Sequence, residues 1–217
     1  MRPSADLAPL ADALSRAVAT ASRAGRTPVV LIDGPSGAGK SSLADLLLAD
    51  WPAEGAPRLV RMDDLYPGWD GLDAGSDAVG RDLLAPLRAH GSGSWQRWDW
   101  ANERPAGRVQ ITGTEPLIVE GCGTLSRRNA ALADLTVWLH ADDALRKRRA
   151  LARDGATFAA QWDRWQAEFD RFVAREDPVA SAALVLDVTG LDLTPTAPRT
   201  ARVGDLTDPV SGTTVES

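Results

Sequence analysis

The chain has 217 residues, 44% hydrophobic and 25% charged, enough for one ordinary domain with a single well-buried core. A formal net charge of −6 excludes a general polyanion-binding surface, and the only locally basic stretch is segment 146–153. One cysteine, Cys122, cannot form an internal disulfide, no run of about 18 apolar residues appears, and residues 1–4 lead into no signal-peptide apolar region. These features predict a protein of the reducing cytoplasm with neither a membrane nor a nucleic-acid partner.

Leu7, Leu10, Leu14 and Val18 recur at helical spacing and predict an amphipathic helix over 6–24, packed beside a first strand at 28–33. A glycine-rich loop follows, and then a helix over 39–50. Pro52, Gly55 and Pro57 mark a turn before a second strand at 58–62, which ends at Asp63 and Asp64. Four Gly or Pro residues break 67–76 into an expected loop over a site, and 77–89 reads as helical. Segment 91–108, rich in Gly, Trp and Arg, is expected to be irregular, with a short strand at 109–112. The apolar run 117–121 predicts a central parallel strand, followed by a short helix and a strand at 135–139. Helices over 142–153 and 157–175 and a last strand at 183–187 complete the pattern. From about Leu191, Thr, Pro, Gly and Asp dominate, so 191–217 is expected to be a disordered or loosely attached tail. The sum is an α/β fold, one domain over 1–190, with five parallel strands, helices on both faces and ligands at the carboxyl ends of the strands.

The most specific chemistry lies in Gly34-Pro35-Ser36-Gly37-Ala38-Gly39-Lys40-Ser41, a Gly-x4-Gly-Lys-Ser cradle set between strand and helix. Glycines let such a loop curl until its backbone N–H groups face an anion, and the helix N-terminus adds a partial positive charge. Gly34, Ser36, Gly37, Ala38, Gly39, Lys40, Ser41 and Ser42 form the expected nucleotide-binding group, with Lys40 on the β- and γ-phosphates and the Ser41 hydroxyl on Mg²⁺. Lys40 and Lys147 are the only lysines in a chain that otherwise writes its basic residues as Arg.

Asp63 and Asp64 end the second strand on the same rim as that loop, where a carboxylate serves equally as a general base or as a turn cap. Glu120 ends the strand beside the first, a place for an acid that holds Mg²⁺ through water or for a plain surface acid. Arg146, Arg149 and Arg153 fall on one helical face, with Arg148 on its flank. They read as a lid closing over phosphates or as a solvated face paired with Asp142 and Asp143. Trp69, Trp95, Trp98 and Trp100 crowd the acceptor side, where indoles either stack on a ring or pack under loops. His90, His140 and Cys122 read as structural or surface residues.

In this order, the glycine loop, Met62-Asp63-Asp64-Leu65-Tyr66, Leu117-Ile118-Val119-Glu120-Gly121 and an Arg-rich lid resemble the uridine kinase-like branch of the P-loop kinases, over about residues 27–187. The resemblance implies a three-layer P-loop NTPase fold like that of the nucleoside monophosphate kinases, with a helical lid over about 142–175. By it Asp63 matches the family's catalytic aspartate, Tyr66 its acceptor-side tyrosine and Glu120 its strand-end acid. Trp98-Asp99-Trp100 with Arg104 resembles the family segment that lines the acceptor pocket. After the lid arginines, Asp154-Gly155-Ala156-Thr157 is shorter than the family's second lid half and carries no arginine, although Gln161, Trp162, Arg164 and Trp165 stand nearby.

The implied activity is an ATP- and Mg²⁺-dependent transfer of a phosphoryl group to a hydroxyl, with a nucleoside such as uridine or cytidine as the first acceptor. Asp63, Lys40, Arg146, Arg149 and Arg153 would carry catalysis. Asp63, Tyr66, Trp98, Asp99 and Arg104 would bind the acceptor, and Ser41 and Glu120 the metal. A homo-oligomer is allowed. A nucleoside monophosphate kinase, drawing on Arg61, Arg81, Arg88, Arg97 and Arg104, and a nucleotide-dependent regulatory NTPase are the alternatives.

Overall fold

The computed structural model describes residues 8–22, 28–113 and 115–191; the remainder, including the expected tail from 192 onward, lies outside the described residues. After helix α1 (Ala8–Ala21), strand β1 (Val29–Asp33) is an apolar, partly β-branched run buried along its whole length. The glycine loop leads to helix α2 (Lys40–Ala49). Strand β2 (Arg58–Arg61) runs into a 3₁₀ turn at Met62–Asp64, so the second strand stops before the aspartates and presents them on a tight turn. Strands β5 (Leu117–Glu120), β6 (Leu135–His140) and β7 (Leu184–Asp187) complete a five-stranded sheet in the order β2-β5-β1-β6-β7. Every neighbouring pair is parallel. The expected three-layer α/β fold is the observed one.

Alternation along the strands sends side chains to two apolar layers. Val30, Ile32, Ile118, Val137 and Leu139 meet Leu14 and Val18 of α1 and Leu43 and Leu47 of α2. Val29, Leu31, Val60, Leu117 and Val119 meet the other layer, which includes Tyr66, Leu83, Trp165, Phe169 and Phe172. At about 1.5–3 kcal/mol for each large side chain removed from water, these layers hold the strand ends in place.

Two segments differ from the sequence expectation. Residues 67–76 are a loop only as far as Gly71: helix α3 (Leu72–Ala78), a π-helical turn at Val79–Leu84 and helix α4 (Ala85–His90) run on as one rod. Gly75 is no breaker here, because a β-carbon on it would lie 2.8 Å from the Tyr66 ring, and the glycine permits that close packing. Segment 91–108 is an ordered hairpin of β3 (Ser92–Asp99) and β4 (Arg104–Thr112), antiparallel, with a register shift between Gln96 and Trp98. Trp95 and Ile111 bury its inner side, while β4 is mostly exposed, so no apolar alternation marks that strand in the sequence.

A short helix, α5 (Arg127–Ala130), precedes β6, and α6 (Asp143–Glu176) follows it. The expected pair of helices over 142–175 is α6, broken at Gly155, whose φ of 69° and ψ of −154° suit only a residue without a β-carbon. The break folds the second half back on the first. Arg146 donates to Gln166 Oε1 at 2.7 Å, whereas 20 residues of straight helix would span about 30 Å. Among the described residues no helix is long and apolar enough to cross a membrane.

The strand ends are joined by a buried carboxylate. Asp33, at the last position of β1, accepts the backbone N–H groups of Gly34 (2.6 Å), Gly123 (3.0 Å) and Leu125 (2.7 Å). It thereby ties the start of the glycine loop to the loop that follows β5. Burial raises its carboxyl from 3.8 to about 6, against the lowering pull of those N–H groups and of Lys40. A carboxyl with its pKa raised by folding binds its proton more tightly in the folded state. Its contribution is therefore fully present below pH 3.8 and is lost as pH rises through about 6. Urea unfolding across that window should show wild type losing up to about 3 kcal/mol relative to Asp33→Asn, the bulk of it between pH 4 and 6. A pH-independent difference between the two proteins would contradict the assignment.

Candidate active site

The carboxyl ends of β1, β5 and β2 open on a cavity of about 380 Å³. The glycine loop and α2 contribute Ser36, Gly37, Gly39, Lys40 and Ser41, and the end of β5 contributes Glu120, Gly121 and Cys122. The chain after β2 adds Asp63, Asp64, Tyr66 and Trp69, the hairpin adds Trp100, and α6 adds Arg153, Asp154, Thr157, Phe158 and Trp165.

The loop is shaped by close backbone packing. A β-carbon on Gly37, whose φ is 81°, would fall 1.9 Å from the Arg146 carbonyl oxygen in the first turns of α6. Helix α2 begins at Gly39 with no side-chain cap, and Lys40, 7% exposed, donates to the Gly34 carbonyl at 2.7 Å and the Pro35 carbonyl at 3.0 Å. Its ammonium also lies 3.5 Å from Cys122 Sγ. Burial pushes the Cys122 thiol up from its ordinary range, with Lys40 opposing. An ammonium held on loop carbonyls beside an uncapped helix N-terminus can hand its donors to an anion seated in the loop.

Ser41 donates to Glu120 Oε1 at 2.9 Å. The same oxygen accepts Arg61 Nη1 at 2.9 Å, and the other arm of that guanidinium reaches Asp45 on α2. A hydroxyl and a carboxylate oxygen side by side are hard donors suited to Mg²⁺, which takes one or two protein oxygens and completes its octahedron with water and phosphate. No cluster of three or more His, Cys, Asp or Glu suited to a metal occurs among the described residues.

Asp63 reaches the cavity from the 3₁₀ turn, held there by Trp100, whose indole Nε1 donates to the Asp63 carbonyl at 2.7 Å. Of the three lid arginines, Arg153 alone lines the cavity. It makes two bonds to Asp154, at 2.8 and 2.6 Å. Burial lowers its pKa, but the hydrogen bonds and charge of Asp154, with the charges of Asp63 and Glu120, hold it above its ordinary value. Arg146 is buried against Asp143, Gln166 and Trp162, and Arg149 donates to the Leu191 carbonyl. Shared helical spacing therefore does not bring these two to the site, because the turn at Gly155 covers Arg146 with the second half of α6.

The acceptor-side residues divide similarly. Tyr66 lines the cavity, but its hydroxyl donates to the Cys122 carbonyl at 2.7 Å, and burial pushes its pKa well above the ordinary value. Trp98, Asp99 and Arg104 lie in the hairpin away from the cavity lining. Asp99 caps the hairpin turn through Ala101 N, Asn102 N and Asn102 Nδ2 and pairs in register with Arg104. In their place stand Trp69, Trp100, Phe158 and Trp165: Trp69 lies 4.9 Å from Trp100, 5.7 Å from Phe158 and 6.3 Å from Trp165 between ring centroids. Thr157 and Phe158 have no sequence signal of their own, since they follow the break at Gly155 that redirects α6. Asp33 does have one, a carboxylate closing a wholly apolar strand.

No protein-family model matches the chain, and no curated protein matches it. Among solved structures it is similar to a protein of Bacillus stearothermophilus described as a possible uridine kinase, at 18% identity and a TM-score of 0.62, over 83% of this chain and 99% of that one. It is also similar to a protein of Silicibacter sp. TM1040 described as a candidate fructose transport system kinase, at 18% identity and a TM-score of 0.54, over 81% of this chain and 98% of that one. With the glycine loop, the parallel sheet and the broken α6 arm, this likeness gives the chain the fold of the uridine kinase-like P-loop kinases.

Proposed function

We propose that the chain is an ATP-dependent small-molecule kinase that transfers the γ-phosphoryl group to a hydroxyl. The observation that carries the reading is the convergence of Lys40, Ser41, Glu120, Asp63 and Arg153 on one cavity from four separate segments. Residues 34–42 cradle the triphosphate, Lys40 reaching its outer phosphates. Ser41 and Glu120 are the residues that would hold Mg²⁺, which when bound neutralises phosphate charge. The Asp63 carboxylate accepts the proton of the attacking hydroxyl as the oxygen–phosphorus bond forms and the bond to the ADP oxygen breaks. Arg153, which lines the same cavity as Asp63 and Glu120, stabilises charge on the transferred group. Arg146 and Arg149 act at one remove, by fixing the arm that carries Arg153.

A hydroxyl acceptor is favoured over a phosphate acceptor by the placement of the remaining arginines. Arg61 is bonded to Asp45 and Glu120, Arg81 to Asp82, and Arg88 to Asp134 and the Leu132 carbonyl. None of these, nor Arg97 or Arg104, lines the cavity, and Asp63 and Asp64 would repel a second phosphate there. Trp69, Trp100 and Phe158 beside Asp63 suit a neutral acceptor with a flat ring, of which a nucleoside is the first candidate.

Calorimetry should show Lys40→Ala weakening ATP binding by about 1.5–3 kcal/mol, the worth of charged hydrogen bonds to phosphate. With an acceptor identified by stimulated ADP release, Asp63→Asn should lower kcat by about 10²–10⁴ while leaving ATP affinity near wild type. Full turnover in either variant, or steady ATP hydrolysis that no nucleoside, nucleotide or sugar stimulates, would sink the proposal.

A further inference from the structure

The face of the sheet under α2 carries an arginine that touches no cavity space, yet joins three elements of the site. Arg61 and Glu120 are direct partners in the β2–β5 register, so their side chains project from the same face. Arg61 Nη1 donates to Glu120 Oε1 at 2.9 Å, the oxygen that also accepts Ser41, while Nη2 bonds Asp45, four residues beyond Ser41 on α2. Burial lowers the pKa of the guanidinium, but Glu120 and Asp45 raise it to a net upward position, so it is a fixed cation. Glu120 is 3% exposed, and Arg61 is a cation bonded to its carboxylate. Two residues further along the chain is Asp63.

We infer that Arg61 is a positioning residue for divalent-cation binding: its planar fork, anchored on Asp45, aims the Glu120 carboxylate at the Ser41 hydroxyl, so that the two oxygens present themselves together to the metal of a metal–nucleotide complex. The inference rests on the reading of Ser41 and Glu120 as the metal-side pair. Arg61 itself contacts neither metal nor nucleotide. It acts as the hydrogen-bonded partners of ligating carboxylates do, by fixing orientation.

Two physical effects of removing Arg61 have opposite signs, which makes the assignment decidable. A cation that merely stands near the site repels Mg²⁺, and its loss would tighten metal binding. A cation that aims the ligand costs affinity when lost. The quantity to measure is the ratio of dissociation constants for a non-hydrolysable ATP analogue in EDTA and in Mg²⁺, by calorimetry on the full chain. Arg61→Gln should reduce that ratio about 10–100-fold while changing the EDTA constant far less. Arg61→Lys, which keeps the charge but not the fork, should restore only part of it. Asp45→Asn, which removes the anchor and leaves Arg61 in place, should reduce the ratio in the same direction by a smaller factor, and it carries the test should Arg61→Gln not fold. A ratio kept or increased in Arg61→Gln, or in Asp45→Asn should that stand alone, overturns the role of Arg61 and leaves the kinase reading intact. A wild type that binds the analogue equally in EDTA and Mg²⁺ overturns the metal-side reading, and this inference with it.

Discussion

A charge placed where water cannot reach it sets the geometry of the site. Asp33 closes β1, and its carboxylate gathers backbone N–H groups from both sides of the sheet's central seam. One oxygen accepts Gly34 and Gly123, the other Leu125, so the glycine loop and the loop bearing Cys122 cannot shift independently. Buried backbone groups lacking such a partner would each cost about 1–3 kcal/mol. The apolar layers of the sheet supply cohesion, but they leave the loops beyond the strand ends unspecified. The carboxylate supplies that specification at the cost of desolvating itself.

The cavity built on this frame is asymmetric in charge. Glu120, Asp63, Asp64 and Asp154 face Lys40 and Arg153, so formal charge on the lining is more negative than positive. A polyphosphate entering such a cavity would have to rely on backbone N–H groups, on the lysine and on the counter-ion it brings, and would gain little from any general positive field. The division of labour matches the arginine placement. Several guanidiniums outside the cavity lining are structural ties: Arg61 to α2 and β5, Arg88 to Asp134, Arg146 across the α6 turn, and Arg175 to Asp73 on α3.

Wherever local rules decide the outcome, the sequence was a sufficient guide. The glycine loop between an apolar strand and a helix, the five parallel strands and the paired halves of α6 are all legible from periodicity and turn chemistry. Lys40, Ser41, Asp63, Glu120 and Arg153 line one cavity, which their places at strand ends and on the helix after β6 allow. What escaped depends on packing and exposure that only the folded chain decides. Gly75 reads as a breaker until Tyr66 is seen packed on it, and the hairpin reads as irregular because its outer strand faces solvent. Arg146 shares a helical face with Arg153, but Trp162 and Gln166, which cover it, lie beyond a turn that a lone glycine only hints at.

One contact links the two halves of the cavity wall directly. Trp165, on the returning half of α6, donates its indole N–H to Ser36 Oγ at 3.1 Å, and the ring packs edge-on against Tyr66 at 4.8 Å. Trp165 thus ties the returning half of α6 to the Ser36 hydroxyl of the glycine loop, so that the arm and the loop, 129 residues apart in the chain, share a single hydrogen bond.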